Sequence, residues 1–412
     1  MQDKEQMKKR ISSYFEENRK NLVRTCSELI QIDSSNPPGD CTQVISYLRS
    51  EYSRTGADFV LLSADRKYLR KLGHEYPRHN FISRIGPKKN LRLAIGTHMD
   101  VVPAGDREKW KFPPFSGSIA NSKIWGRGAV DAKCSLASQL YAVKAIAECE
   151  VPLDGGLACI GTVDDEAPGD AIGAGMEYVV DKGMKRVGIN VPRFAINAEA
   201  SGLRNIWGRF AGGLTVRMKI RGKTGHPPIG VNALDNAAAM WSSLLEKRNK
   251  NVFPIAPKLV WLNGGTESDF GLTPVEAKMI FRVPILDPRV STEAAFEEIK
   301  RVIRDEKAKN PSLIVDEVVA LRSGGAFDIG RKNPLVQILK NCAKEAGVVA
   351  QYGGGIVGPG DLQFFLERGV SAVTFGAGSL DRCHVPNEYI TIAELVAQSK
   401  IYALASLGIC MP

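Results

Sequence analysis

The sequence predicts an α/β protein in which a domain built on a mostly parallel sheet is interrupted by a smaller α+β module. Three observations carry this expectation. Strand-like and helix-like segments alternate from residue 58 to residue 198. Between residues 208 and 323 the pattern changes to period-two strands separated by two helices. From Pro334 onward helix and strand alternate again.

Taken in order, Leu22, Cys26, Leu29 and Ile30 share one helical face, and Asn36-Pro37-Pro38-Gly39 stops that helix. A second helix carries Val44, Ile45, Leu48 and Tyr52 and ends near Gly56. Strands are predicted at 58–62, 80–85 and 91–95. A helix follows from about Ser135, with Leu136, Leu140, Val143 and Ile146 in step, and then strands at 156–163 and 193–198. In the inserted block Leu214, Val216, Met218 and Ile220 alternate with Thr215, Arg217, Lys219 and Arg221, a half-buried strand. A helix at 232–245, strands at 258–262 and 275–283, a helix at 292–304 and a strand at 313–319 complete it. The order β-α-β-β-α-β is that of a ferredoxin-like module with one open sheet face. Glycines mark its edges: Gly208, Gly212 and Gly213 before, Gly324 and Gly325 after. The expected domains are therefore 1–207 and 324–412, forming one α/β domain in two pieces, and the insert 208–323. The last part holds strands at 348–351 and 370–375 and a helix at 392–407.

With 412 residues, 44% hydrophobic and 24% charged, the chain has a globular make-up that excludes disordered and collagen-like classes. No apolar run approaches the ~20 residues that span a bilayer, so no membrane partner is expected. The charged N-terminus has no apolar segment behind it, and no signal peptide is read there. The net charge is +10, yet lysines and arginines are interspersed with acids, as in KRVIRDEKAK, and no basic block interleaves with aromatics. That pattern fits a solvated basic surface drawing anionic substrates better than a nucleic-acid groove. Eight cysteines without a CxxC pair read as reduced, mostly buried thiols of a cytoplasmic protein.

Histidines are few: His74, His79, His98, His226 and His384. His98 closes an apolar run within Thr97-His98-Met99-Asp100. A histidine at a strand's carboxyl end suits a metal ligand whose second ring nitrogen is held by the nearby acid, although for His-x-Asp alone a polar strand end is the plainer reading. Asp131, after Gly126-Arg127-Gly128-Ala129-Val130, sits where the chain enters a helix; it could bridge two cations or cap the helix. The triplet Asp164-Asp165-Glu166 repels itself unless cations or arginines lie near; a solvated loop is the plainer reading. Glu199 and His384 follow further strands. Carboxyl ends of parallel strands are where α/β domains place their ligands. Together these residues make a donor set for two divalent cations.

The runs THMDVVPAGDREKWKFPPFSG, WGRGAVDAKCS, VDDEAPG, NAEASG, GKTGHPPIGVNAL and GPGDLQFF carry a resemblance across nearly the whole chain. In them the sequence resembles the metallopeptidase and deacylase family of acetylornithine deacetylase, succinyldiaminopimelate desuccinylase, aminoacylase and glutamate carboxypeptidase. The resemblance implies a split catalytic domain, an inserted lid and dimerisation domain, and a homodimer. It implies two divalent metal ions per chain, zinc first and manganese or cobalt next, with Asp131 as the bridge. His98 and Glu199 would complete one site, and Glu166 and His384 the other. Asp100 would orient His98, and the peptide bond after Asp131 would be cis. His226 would steady the oxyanion from across a dimer interface, while Arg282 and Gly358 would bind a small carboxylate-bearing substrate. Glutamate at position 199 is similar to deacylases and carboxypeptidases rather than to aminopeptidases.

The chain departs from that family at its base. The first glutamate of Asp-Glu-Glu is replaced by Asp165, shorter by a methylene, roughly 1.5 Å of reach. Cys134 and Cys383 put thiols near the expected metals, where small space-filling roles are predicted, and two prolines follow His226. The expected activity is metal-dependent hydrolysis of the amide C–N bond of an N-acyl amino acid or C-terminal peptide, with Asp165 as general base. The departure at Asp165 leaves a second expectation, hydrolysis of a non-peptide C–N bond in a ureide or amino-substituted ring.

Overall fold

Strands β1 (Asp58–Ser63), β2 (His79–Ile85) and β3 (Leu91–His98) open the larger sheet, and the short β4 (Ser118–Ala120) and β5 (Lys123–Trp125) follow. The computed structural model describes residues 2–71, 74, 77–167, 173–226, 229–265, 272–355 and 360–412. Next come β6 (Gly156–Thr162), β7 (Phe194–Asn197), β8 (Asn205–Phe210), β9 (Gly212–Arg221), β10 (Lys258–Gly264), β11 (Glu276–Ile285) and β12 (Ile314–Gly324). The chain closes with β13 (Phe327–Asp328), β14 (Gln351–Gly355), β15 (Ser371–Thr374) and β16 (Tyr389–Thr391).

The larger sheet runs β1-β2-β6-β3-β7-β15-β8-β13, with β14 beside β8. Its centre, β6-β3-β7-β15, is parallel, and β1 and β2 join antiparallel at one edge. The α/β class is thus met with a parallel centre and antiparallel flanks. Every residue of β6 and β7 is buried, as expected of strands covered on both faces. Helices Lys133–Glu148 and Ile392–Cys410 pack together beside this sheet. Their serines meet: Ser399 Oγ donates to Ser138 Oγ at 3.0 Å, and Gln398 Nε2 donates to Ser135 Oγ at 3.0 Å. Both helices are apolar nearly all round, the pattern of a core helix. Ile392–Cys410, at 19 residues, is also long and apolar enough to cross a membrane, which the sequence reading did not anticipate; 61% of it is buried in this core.

The chain divides into two compact units. One consists of Met1–Gly208, Ile329–Gly354 and Gly360–Pro412; the other is built on Arg209–Asp328. In the second, the antiparallel sheet has the order β10-β11-β9-β12, which is ferredoxin-like. Leu214, Val216, Met218 and Ile220 pair with Val283, Phe281, Met279 and Ala277, and this row is buried together with helices Ala233–Glu246 and Thr292–Lys309. The opposite face carries a charge ladder, with Arg217–Glu317 at 2.8 Å and Lys219–Glu276 at 2.7 Å.

One local expectation needs correction, and two sets of elements were missed. The strand expected at 348–351 begins at Gln351, because helix Pro334–Glu345 runs into a turn at Gly347, whose φ of 78° suits glycine. Strands β4, β5 and β16 are three residues each, too short for a periodic signal. Helix Gln2–Glu17 was missed because it is strongly charged and buries little beyond Ile11, Tyr14 and Phe15.

Candidate metal centre

The parallel centre of the larger sheet brings four strand ends to one edge. His98 is the last residue of β3, Asp164-Asp165-Glu166 follow β6, Glu199 follows β7, and His384 lies in the loop after β15. Asp131 arrives from elsewhere, just ahead of helix Lys133–Glu148. The N-cap there is Ala132, with no side-chain capping bond, so the carboxylate of Asp131 is not a helix cap. The Asp131–Ala132 peptide is cis.

The two oxygens of Asp131 face different histidines. Oδ1 stands 2.9 Å from His98 Nε2, and Oδ2 stands 3.1 Å from His384 Nε2. Glu199 Oε1 is 3.5 Å from His98 Nε2, and Glu166 Oε1 is 2.9 Å from His384 Nε2. Two three-donor groups result, His98–Asp131–Glu199 and Asp131–Glu166–His384, each with its ligand atoms within 4.8 Å of one another. Donors that each lie 2.0–2.2 Å from one cation stand roughly 3.3 Å apart in a tetrahedral site, so these spacings fit a divalent ion. The five residues predicted as ligands are those the fold brings together.

Charge supports the same fit. Burial pushes Glu199 up to about 7, with Asp131 and Asp165 adding to it. Asp165 keeps 39% of its side chain exposed, yet the surrounding protein and the carboxylates of Glu166, Asp100 and Asp131 raise it to about 6. His384 is pushed up to about 10 by its bonds to Asp131 and Glu166. The cluster holds more negative charge than two imidazoles balance, which suits cations.

The ring of His98 is fixed from behind. Its Nδ1 donates to the Asp100 carbonyl oxygen at 2.8 Å, which leaves the Nε2 lone pair, on the side of Asp131 and Glu199, able to ligate a cation. The orienting contact predicted from the Asp100 carboxylate is longer, 3.7 Å from Oδ1. Oδ2 of Asp100 instead accepts from Asn36 Nδ2 at 2.8 Å and from the Glu166 amide at 3.1 Å. Cys134 Sγ lies 3.5 Å from the Val130 oxygen, and Cys383 Sγ lies 3.7 Å from the Ser379 oxygen, with burial and then the Asp131 carboxylate pushing the Cys383 thiol up.

One pair was not singled out from the sequence. Glu388, 1% exposed, accepts from the amides of Val130 (2.8 Å) and Asp131 (3.0 Å) with one oxygen, and from Arg127 Nη1 (2.7 Å) with the other. Arg127, also buried, stacks 5.1 Å from the Trp110 ring centre. Glu388 therefore holds the backbone that presents Asp131 and shares a loop with His384, whose φ of 61° needs such support. The available signal was an arginine and a glutamate of opposite charge inside two of the motif segments. Glu388→Leu would strand Arg127 in the interior and leave two amides unpaired. The expected loss is about 3–5 kcal/mol in chemical denaturation, whereas Glu388→Gln keeps an acceptor oxygen for the amides and should lose less.

The remaining predicted residues belong to the second unit or fall outside the described residues. His226 is exposed in a turn of the second unit, where its carbonyl accepts from the Ile229 and Gly230 amides. Arg282 is exposed on the open face of β11, opposite Thr215. Gly358 and the prolines after His226 fall outside the described residues.

Comparison with known proteins agrees with this architecture. Residues 94–407 match the profile of peptidase family M20/M25/M40. The chain is 28% identical over 337 residues to a succinyl-diaminopimelate desuccinylase of Hahella chejuensis, covering 78% of this chain and 83% of that protein. It is 25% identical over 422 residues to an uncharacterized metallohydrolase of Methanococcus maripaludis, covering 92% and 97%. In structure it is similar to an M20 family metallo-carboxypeptidase from Sulfolobus solfataricus, with a TM-score of 0.74, 18% identity, and coverage of 94% and 99%.

Proposed function

This chain belongs to peptidase family M20/M25/M40 and is a metal-dependent hydrolase, and we propose that it is a dinuclear amidohydrolase of deacylase or carboxypeptidase type. The observation that carries the reading is the pair of donor groups sharing Asp131. His98 and Glu199 would hold one divalent cation and Glu166 and His384 the other, with Asp131 between them. Zinc is the first expectation, and manganese and cobalt suit the same imidazole and carboxylate donors. When bound, the two ions would supply Lewis-acid polarisation of the scissile carbonyl and a water of lowered pKa.

The chain's own residues do the rest. Asp165, whose Oδ2 is 4.0 Å from His98 Nε2, takes the proton of the attacking water and returns it to the leaving nitrogen. His226 of a partner subunit donates to the developing oxyanion. Arg282 and Gly358 receive the substrate carboxylate, the arginine through its forked donors. The substrate is an N-acyl amino acid or a C-terminal peptide; the desuccinylase relative makes an N-succinyl amino acid the first candidate. Eight buried, unpaired thiols support a reducing, cytoplasmic setting. The second reading, a ureide or amino-substituted ring as substrate, is favoured by the shorter Asp165. The deciding experiment is metal analysis followed by a screen of N-acyl amino acids, dipeptides and ureides with each metal restored. Turnover of ureides alone would replace the first reading by the second.

Dimerisation is proposed through the second unit. Edge strand β10 leaves Leu259, Val260, Trp261 and Leu262 between 38% and 55% exposed, an apolar edge of the kind that a second copy covers. Val260→Lys together with Trp261→Glu is expected to give monomers in light scattering and to cut turnover sharply. A monomeric variant with undiminished turnover would remove His226 of the partner from the mechanism.

A further inference from the structure

The acidic turn after β6 contains a carboxylate that the proposed chemistry does not use. Asp164 is 4% exposed, belongs to neither donor group, and has a left-handed backbone with φ of 68°. Its Oδ1 accepts from Arg78 Nε at 2.6 Å and from Asn36 Nδ2 at 3.3 Å, and His74 Nε2 stands 3.2 Å from its Oδ2. Arg78, also 4% exposed, is seated by the carbonyls of Pro38 (2.8 Å) and Gly39 (3.3 Å). The Asn36 amide nitrogen donates as well to Asp100 Oδ2, the oxygen that accepts from the Glu166 amide. The turn is thus gripped on both sides of Asp165. Among the described residues Asp165 has no side-chain hydrogen bond of its own, so its aim is set by the backbone that this network holds.

We propose that Arg78 is a positioning residue for the general base: by clamping Asp164 it fixes the turn that aims the short Asp165 side chain. This rests on the reading of Asp165 as the base. An arginine suits the task because one guanidinium meets a carboxylate and two carbonyls at once, which a lysine ammonium does with poorer geometry. A displacement of about 1 Å in a positioned group costs on the order of 100-fold in rate, so the anchoring of a shortened base has a measurable consequence.

The test uses the full, metal-replete chain and an N-succinyl amino acid as probe, with kcat, KM, metal content and circular dichroism recorded together. Arg78→Met is expected to keep both metals and its KM while kcat falls about 10–100-fold. Arg78→Lys, keeping the charge but not the fork, should fall between the parent and Arg78→Met, and it carries the same test if Arg78→Met does not fold. Placed in an Asp165→Asn background, either substitution should add no further loss. Parent-like kcat in both variants overturns the proposal. So does loss of a metal ion, or a full additional loss in the Asp165→Asn background, since Arg78 would then act elsewhere. Failure of the base reading is seen separately, as parent-like turnover of Asp165→Asn alone; that result overturns both.

Discussion

Asp131→Ala is expected to abolish binding of both cations and reduce turnover to background, the most damaging single change in the molecule. Its two oxygens face different histidines, at 2.9 and 3.1 Å, so each donor group loses a member at once. Two donors then remain on either side, fewer than the three protein ligands that a catalytic zinc site ordinarily has. His98→Ala or Glu166→Ala removes a donor from one group only, and each should leave the other cation bound. Elemental analysis of the purified variants separates these cases. Two metals per chain and full activity in Asp131→Ala would end the assignment of this cluster as the metal centre. Circular dichroism guards against a trivial cause, because the Glu388 contacts to the Val130 and Asp131 amides use backbone and survive the substitution.

What the sequence made legible follows from the range of the forces involved. The period-two row on β9 and the helix Lys133–Glu148 were readable because each is set by nearest neighbours and one covering layer. That several candidate donors share one edge was readable once the acids were placed at parallel strand ends, whereas their division into two groups came from the family resemblance. The two readings of Asp131, bridge or cap, could not be separated from local sequence, because both ask for an acid before a helix. The folded chain separates them, by placing the N-cap at Ala132 and by bringing His384, more than 250 residues later, to the second oxygen of Asp131. The Arg127–Glu388 pair and the Arg78–Asp164–Asn36 network escaped for the same reason. Each joins distant segments through buried charge, and no periodicity records such a pairing. β10 was read simply as a strand, and nothing in its local sequence told that its apolar residues are exposed at a sheet edge.

Asp165→Asn is expected to keep the fold and both metals while turnover falls by about 10²–10⁴-fold, the usual contribution of a positioned acid–base group. The residue lies beside the donor groups but in neither, with Oδ2 4.0 Å from His98 Nε2 and 39% of the side chain open to solvent. An amide in its place cannot accept the proton of water, and the metal count should not change. Asp165→Glu then separates two explanations of the short side chain. If aspartate is a drifted base on an otherwise unchanged loop, restoring the methylene should preserve or raise amide hydrolysis. If the turn held by Arg78 and Asn36 has been built around aspartate, the longer side chain crowds the water and lowers the rate. The buried clamp on Asp164 favours the second outcome, because a turn fixed on both sides cannot retreat to make room. Near-normal turnover of metal-replete Asp165→Asn would instead assign the proton transfer to another group. Asp164 is a poor substitute, since its carboxylate is already engaged by Arg78 and Asn36 and is almost closed to solvent.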